Sequence, residues 1–456
     1  MKKAAIILAA GQGTRMKSAL PKVLHRVGGK PLIGWALDLA RTCGCAPSVV
    51  VVAPAMADVC AVVADRWPEA ATAVQAAPRG TADAVKAARA ALAEFEGDVV
   101  VLYGDAPLVR AETVEAMFAL RRAHGGLVVL GFEPADPTGY GRLILDADGA
   151  VARIVEERDA SDEERRVRFC NSGLIVADAR QLFQLLSMVG NGNAKGEFYL
   201  TDVVGLARSA GFKTRAARAE ESEVLGVNSR VDLAAAEAAF QARARRAALE
   251  AGVTMIAPDT VYFSHDTRIG QDVTIEPNVY FGEGVTIGAG TVIHAHCHFE
   301  RAEIGEQCEV GPFARFRPKA KLSRKVKIGN FVEVKNANLG EGVKANHLAY
   351  IGDADIGARS NIGAGAITCN YDGYRKHRTT IGEDVFIGSN TALVAPITIE
   401  ARAYTAAGSV IAKHPVAAGD LGFNRAARDD RRGWADAFRA RMEAEKASGS
   451  KKDESQ

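Results

Sequence analysis

Residues 269–293 read IGQDVTIEPNVYFGEGVTIGAGTVI, and a bulky apolar residue returns every six positions, at Ile269, Ile275, Phe281, Ile287 and Ile293. The beat continues at Ile304, Val310 and Phe316, then at Ile328 and Val334. After short slips it resumes at Ala345 and Ile351, at Ile356 and Ile362, and finally through Ile381, Ile387, Leu393, Ile399, Thr405 and Ile411. A glycine often stands directly behind the marked residue, as at Gly270, Gly282, Gly288, Gly329 and Gly388. A helix with about 3.6 residues per turn cannot hold such a stripe on one face. A short strand followed by a tight turn can, and this period is the mark of a parallel β-helix in which each repeat turns one side chain inward. Unrelated glycine turns would not keep phase over so many units.

The chain has 456 residues, room for two or more domains. Its 48% hydrophobic and 25% charged residues are those of an ordinary globular protein. The net charge of +2 argues neither for nor against a nucleic-acid partner, and no apolar run is long enough to cross a bilayer. The apolar start, Ala4 to Ala10, passes straight into Gly11-Gln12-Gly13-Thr14-Arg15, which predicts a buried strand rather than a secretory signal. Seven scattered cysteines without a CxxC pair predict free thiols in a reducing cytoplasm.

Before about Asn228 the texture differs from the repeat. Apolar strands (Ala4–Ala9, Ser48–Val52, Asp98–Tyr103) alternate with helical stretches (Pro31–Arg41, Thr81–Leu92). That alternation predicts an α/β domain with a parallel sheet, helices on both faces and ligands at the carboxyl ends of the strands. Val231 to Glu250 lacks Gly and Pro and reads as one long helix stopped by Gly252. The expected organisation is an α/β domain over 1–228, a linker helix over 229–252, the hexapeptide β-helix over 253–425 and a charged tail over 426–456. In the tail, Trp434 to Glu445 reads as a helix and Ser448 to Gln456 as disordered.

The first strand runs into Ala10-Gly11-Gln12-Gly13-Thr14-Arg15-Met16, with Leu20-Pro21-Lys22 behind it. Small residues let backbone N–H groups approach an anion, and Arg15 and Lys22 add charge where phosphates would lie. The segment matches neither a Walker A loop nor the dinucleotide fingerprint. It resembles the signature of sugar-nucleotide pyrophosphorylases, a Rossmann-like nucleotidyltransferase family. The resemblance implies that Leu8, Ala9, Ala10, Gly11 and Lys22 grip the nucleotide, with Arg15 and Lys22 catalytic. It further implies base recognition by Gln75, Gly80 and Thr81, and nucleotide or sugar contacts from Tyr103 and Gly104. Gly141, Glu156 and Asn171 are implied at the sugar, and Asp105 and Asn228 as Mg²⁺ ligands. Cys170-Asn171-Ser172-Gly173 stands where the family commonly has Asn-Thr-Gly. One or two protein oxygens suit Mg²⁺, which takes its other ligands from phosphate and water.

Within the repeat, several stretches depart from the bare pattern: Arg315-Phe316-Arg317-Pro318, Asn330 to Lys335, Ala345 to Asp353, Asn361 to Gly365 and Cys369 to Gly373. They resemble the acetyltransferase half of a family of bifunctional bacterial enzymes that acetylate glucosamine-1-phosphate and uridylylate the product. The likeness runs from Ala4 to about Arg425. It implies His347 as general base, Arg317, Lys335, Tyr350 and Asn361 at the sugar phosphate, and Ala364, Asn370, Tyr371, Ser389, Ala407 and Arg425 at acetyl-CoA. The family usually has a proline soon after the residue matching Arg425, and this chain has Ala426-Ala427 instead. The resemblance also implies a left-handed helix and a homotrimer, whereas the ordinary crossover preference favours the opposite hand. The expected substrates are glucosamine-1-phosphate, N-acetylglucosamine-1-phosphate, UTP and acetyl-CoA, in the cytoplasm, without nucleic-acid or membrane partners.

Two other readings carry less. A single-activity nucleotidyltransferase with a scaffolding β-helix has no use for His347, Lys335 or Asn370-Tyr371. A non-enzymatic regulator would not need Gly13, Arg15, Lys22 and Asp105. His294, His296 and His298 alternate as on a strand, so all three could face one side, but no acidic ligand accompanies them and a surface stripe is the expectation over a zinc site.

Overall fold

The computed structural model describes residues 2–193, 195–426 and 430–449. The chain divides into two compact units, Met1–Thr286 and Ile287–Gln456.

The first unit is organised by a nine-stranded sheet: β1 Lys3–Leu8, β2 Ser48–Val52, β3 Ala70–Val74, β4 Asp98–Tyr103, β5 Leu127–Phe132, β6 Arg142–Leu145, β7 Val151–Val155, β8 Cys170–Asp178 and β9 Thr214–Arg218. Their order is β9-β5-β8-β4-β1-β2-β3, with β6 and β7 as a hairpin paired to β8. Alternate side chains enter different cores, as the strand period of two demands. From β1, Ala4, Ile6 and Leu8 pack on one face with Val49, Val99 and Leu182. Ala5, Ile7 and Ala9 pack on the other with Ile33, Leu37 and Phe118. Burial on both faces explains why these strands read as unbroken apolar runs.

The long helix spans Arg230–Glu250, and Ser229 caps it through a reciprocal capping box with Asp232. In the same unit a short hairpin, Arg26–Val27 and Lys30–Pro31, meets this helix and the first coil. Gly28 N donates to Glu237 Oε2 at 2.7 Å, and Ser264 Oγ donates to Gly28 O at 3.1 Å. These bonds tie the hairpin to the long helix and to the first coil.

The second unit is a stack of short parallel strands, the left-handed parallel β-helix of hexapeptide proteins. Glu309, Lys327, Lys344, Asn361, Phe386 and Tyr404 share one register column, and Arg315, Glu333, Tyr350, Ile367, Ala392 and Val410 another. The marked residues point inward: Val310, Phe316, Ile328, Val334 and Ile387 are all fully buried. Corners recur three positions later. Gln307, Phe313, Lys319, Lys325 and Phe331 all hold left-handed φ between 56° and 67°. At Gly288, Gly305, Gly329 and Gly388 the glycine behind the marked residue has no left-handed φ and is not the turn residue. At Gly329 a Cβ would lie 1.9 Å from Asn346 O on the next coil, so coil stacking sets the requirement. Gly329→Ala is expected to destabilise the chain by about 1–3 kcal/mol through overpacking, read from the denaturant midpoint. An unchanged midpoint would contradict this account of the repeat.

Several sequence readings are corrected. The sheet is mixed rather than parallel: β8 runs antiparallel to both β4 and β5. The helix expected over Thr81–Leu92 is a helix at Thr81–Ala87 followed by a separate 3₁₀ turn at Ala90–Leu92. The three histidines do not share a strand. His294 follows the strand Val292–Ile293, His296 occupies a corner with φ 63° and stacks on Phe313, and His298 opens the next strand. The six-residue period turns the chain before two-residue alternation can carry them to one side. The last strand of the stack is Leu421–Gly422. The tail helix runs Trp434–Gly449, so Ser448 and Gly449 are helical, and residues 450–456 lie outside the described residues.

Candidate active sites

In the sheet, β1 lies between β4 and β2, and both pairings are parallel. Strand order therefore reverses at β1/β4, and in doubly wound sheets the crevice at the carboxyl ends of such a pair binds ligands. A cavity of about 290 Å³ opens there. Of the predicted residues it is lined by Leu8, Ala9, Ala10, Gly11, Lys22, Gln75, Gly80, Thr81, Tyr103 and Asp105. Gly104 stands behind this wall, its N–H donating to Leu8 O at 2.9 Å and tying the two strand ends together.

Gln75 is buried and donates to Gly80 O at 3.1 Å and to Asp83 Oδ2 at 3.0 Å, which fixes its amide in the loop. Gly13 has φ 64°, and a Cβ there would fall 2.6 Å from Lys22 Cβ, so the loop and the lysine stem are packed against each other. Lys22 is itself buried. Its ammonium forms a short ion pair with Asp105 Oδ2 and donates to Asn228 Oδ1 at 3.1 Å. Residues 83 and 206 positions away from Lys22 in sequence thus converge on one cation. Asn228 is held in turn, because Asp232 Oδ2 accepts its backbone N–H at 2.9 Å.

Gly141, Glu156, Asn171 and Arg15 are not among the lining residues. Asn171 N donates to Gly141 O at 2.8 Å, and Glu156 lies beside Gly141. Burial raises the Glu156 carboxyl above its ordinary range, partly offset by the hydroxyl of Thr201, which donates to it at 3.1 Å. The Tyr103 ring packs on Gly173, and burial raises its phenol. Arg15 is exposed and outside the lining, on the 3₁₀ turn Thr14–Met16. Pro78 and Glu197 line the cavity without having been anticipated, since each comes from a loop with no fingerprint of its own.

In the second unit, His347 is exposed at a strand end in register with Asn330 on the preceding coil. Its Nδ1 lies 2.8 Å from Asn330 Oδ1. An amide oxygen only accepts, so the neutral ring carries its proton on Nδ1 and keeps a lone pair on Nε2. Asn330 was missed as a candidate. Its signal was the interval of 17 residues to His347, the length of one coil.

Around the next corner stand Tyr350, whose ring packs over Gly352, and the register pair Lys335 and Gly352. Lys335 is crowded by cations: its ammonium is pushed below the usual lysine range, first by its contact with Lys376, then by burial and by the charges of Lys376 and Arg317. Arg317 also pairs with Glu333 at 3.0 Å. Asn370 is buried, and Asp353 accepts hydrogen bonds from the amides of both Asn336 and Asn370. The three residues stand at intervals of 17 on successive coils. Tyr371 is exposed beside it and donates to Gly373 O at 2.5 Å. Asn361 is half-buried in the column of Lys344 and Phe386. Ala364 O accepts from Asn390 N at 2.7 Å, and Ser389 O accepts from Gly408 N at 2.7 Å. Ala407 lies against Gly388, and the Arg425 stem runs past Gly408.

Residues 5–168 match the MobA-like NTP transferase domain family, and residues 266–301 match the bacterial transferase hexapeptide family of six repeats. Three relatives carry the description "Bifunctional protein GlmU". The protein of Jannaschia sp. (strain CCS1) is 51% identical over 98% of both chains. That of Maricaulis maris (strain MCS10) is 53% identical over 98% of both. That of Sphingopyxis alaskensis (strain DSM 13593 / LMG 18877 / RB2256) is 52% identical over 98% of this chain and 99% of its own. The chain belongs to the bifunctional GlmU family. As a GlmU-family protein it is a bifunctional enzyme, an acetyltransferase and a uridyltransferase of UDP-N-acetylglucosamine synthesis. A solved UDP-glucose pyrophosphorylase complexed with UDP-glucose covers 53% of the chain at 18% identity and a TM-score of 0.44, too distant to bear on GlmU chemistry. Among the described residues no helix is long and apolar enough to cross a membrane.

Proposed function

We propose that the two group transfers are divided between the two compact units. The observation that carries this is how the candidates sort: Leu8 to Asn228 all fall in Met1–Thr286, and Arg317 to Arg425 all fall in Ile287–Gln456.

In the first unit, the cavity at the β1/β4 ends takes UTP and N-acetylglucosamine-1-phosphate. Gln75, Gly80 and Thr81 hold the base, and Leu8 to Gly11 with Lys22 hold the phosphates. Arg15 closes on them from the 3₁₀ turn. Gly141, Glu156, Asn171, Tyr103 and Gly104 hold the sugar. A sugar-phosphate oxygen attacks the α-phosphorus and pyrophosphate leaves, a displacement that needs positioning and charge neutralisation more than a side-chain base. Asp105 Oδ2 and Asn228 Oδ1 already converge on a cation, the Lys22 ammonium, so this pair of oxygens fits Mg²⁺. Bound there, Mg²⁺ would neutralise phosphate charge.

In the second unit, Nε2 of His347 takes a proton from the amine of glucosamine-1-phosphate as its nitrogen attacks the thioester of acetyl-CoA, and coenzyme A leaves. A general base must offer a free lone pair to the proton it removes, and a neutral imidazole has one on the nitrogen that carries no hydrogen. Arg317, Lys335 and Lys376 form a cationic cluster that a phosphate would relieve, with Tyr350 and Asn361 at the sugar. Ala364, Asn370, Tyr371, Ser389, Ala407 and Arg425 contact the coenzyme. Family membership and the hexapeptide repeats support a homotrimer working in the cytoplasm.

One coupled assay tests the division. The full chain is given acetyl-CoA, glucosamine-1-phosphate, UTP and Mg²⁺, and free thiol and pyrophosphate are followed separately. Thiol release is expected without UTP. Pyrophosphate release from glucosamine-1-phosphate is expected only with acetyl-CoA, and from N-acetylglucosamine-1-phosphate without it. Full-rate pyrophosphate release from glucosamine-1-phosphate with no acetyl-CoA would sink the reading.

A further inference from the structure

We infer that Lys22 competes with the metal for the same two oxygens, and that this competition couples metal binding to nucleotide binding. The inference rests on the proposed assignment of Asp105 and Asn228 as metal ligands. The buried Lys22 ammonium pairs with Asp105 Oδ2 and donates to Asn228 Oδ1 at 3.1 Å. These are the oxygens a divalent cation would take. Each oxygen keeps a second lone pair, but a metal held by this carboxylate and this amide would stand in contact with the ammonium, and two cations in contact repel. Lys22 must therefore leave when a metal enters.

The exit is built into the loop. The Lys22 Nζ lies 3.9 Å from where a Cβ on Gly11 would stand, so the ammonium already borders the phosphate-gripping turn. A nucleotide phosphate held there takes the ammonium and frees both oxygens. A metal on those oxygens drives the ammonium toward the phosphate. Each ligand thus raises the affinity of the other, and the coupling is reciprocal.

The test measures Mn²⁺ binding to the full chain by the loss of the free-ion spin resonance signal. It is run with and without UTP and without any sugar phosphate, after subtracting the metal that UTP binds in solution. Lys22→Met, and Lys22→Gln as a second variant, are compared with the unsubstituted protein. Without UTP, both variants are expected to bind Mn²⁺ about tenfold to a hundredfold more tightly, the scale of a charge-assisted hydrogen bond removed from competition. With UTP present, the enhancement of Mn²⁺ affinity is expected to shrink by at least about tenfold relative to the unsubstituted chain. Asp105→Asn should abolish tight Mn²⁺ binding in either background. If Asp105→Asn abolishes binding but neither Lys22 variant tightens it, the competition is overturned and the metal assignment stands. If binding tightens but the UTP enhancement is unchanged, Lys22 does not carry the coupling and the inference is overturned. If Asp105→Asn binds Mn²⁺ normally, the metal assignment fails and the inference falls with it.

Discussion

His347→Ala is expected to lower acetyl transfer by about 10²–10⁴-fold, the usual loss of a positioned general base, while uridylyl transfer keeps its full rate. Thiol release and pyrophosphate release are to be measured on the same preparation. The selectivity follows from where the residue stands. His347 is exposed at a coil corner, so truncating it opens no core cavity, and surface changes of this kind shift stability by roughly 0.5 kcal/mol or less. What is lost is the ring whose Nδ1–H is pinned by Asn330 Oδ1 at 2.8 Å and whose Nε2 is thereby left able to accept a proton. The pre-set tautomer matters because the amine must be deprotonated as it attacks, and a ring presenting N–H at that point would be useless. Equal loss of both activities would mean that the variant had misfolded. Unchanged thiol release would remove His347 from the mechanism.

The fold was legible because two physical signals were strong and local. A six-residue apolar period admits few chain geometries, and the residues it marks, such as Phe316 and Val334, are the ones the coils bury. Strands buried on both faces read as unbroken Val-rich runs, as in Ser48–Val52 and Asp98–Tyr103. The antiparallel β8 was not legible, because strand direction is set by partners distant in sequence and leaves no local mark on Cys170–Asp178. The three histidines misled for the opposite reason: a two-residue period was read across corners that break it. The glycine behind each marked residue was visible, but its cause was not, since the oxygen of Asn346 opposite Gly329 belongs to another coil.

The candidate sites divide the same way. Residues carried on compact motifs, such as Ala9-Ala10-Gly11 with Lys22 or Tyr103 with Asp105, arrive at one cavity because each motif ends a strand at the same edge of the sheet. Glu197 and Pro78 come from loops whose course depends on everything beneath them. Asn330 and the Asn336–Asp353–Asn370 ladder could have been found only by counting in coil lengths of 17 rather than in sixes. Charge crowding around Lys335 has no linear signature, because Lys376 reaches it from beyond the next coil.

Asp105→Ala is expected to lower uridylyl transfer by at least ~10², in line with the loss of a single stabilising group at a reacting centre. Lys22→Ala should do the same. For Asp105 the argument has two parts that a single variant does not separate. Removing the carboxylate takes away the only charged oxygen of the Asp105–Asn228 pair that holds the Lys22 ammonium, and with it the anionic ligand for the proposed Mg²⁺. It also leaves the buried Lys22 ammonium with Asn228 Oδ1 as its remaining partner, and breaking a buried ion pair from one side can cost about 3–5 kcal/mol. The side chains keep 10% and 19% of their exposure, so the stability loss should fall below that range. Asp105→Asn separates the two effects, since it preserves shape and one acceptor while removing the charge. If charge at this point is what the reaction needs, the asparagine variant should lose nearly as much pyrophosphate release as the alanine variant, while melting closer to the unsubstituted protein. Acetyl transfer on the same sample serves as the control for folding. Near-normal pyrophosphate release from either variant, with acetyl transfer intact, would mean that the carboxylate at the end of β4 is not part of the uridylyl-transfer site.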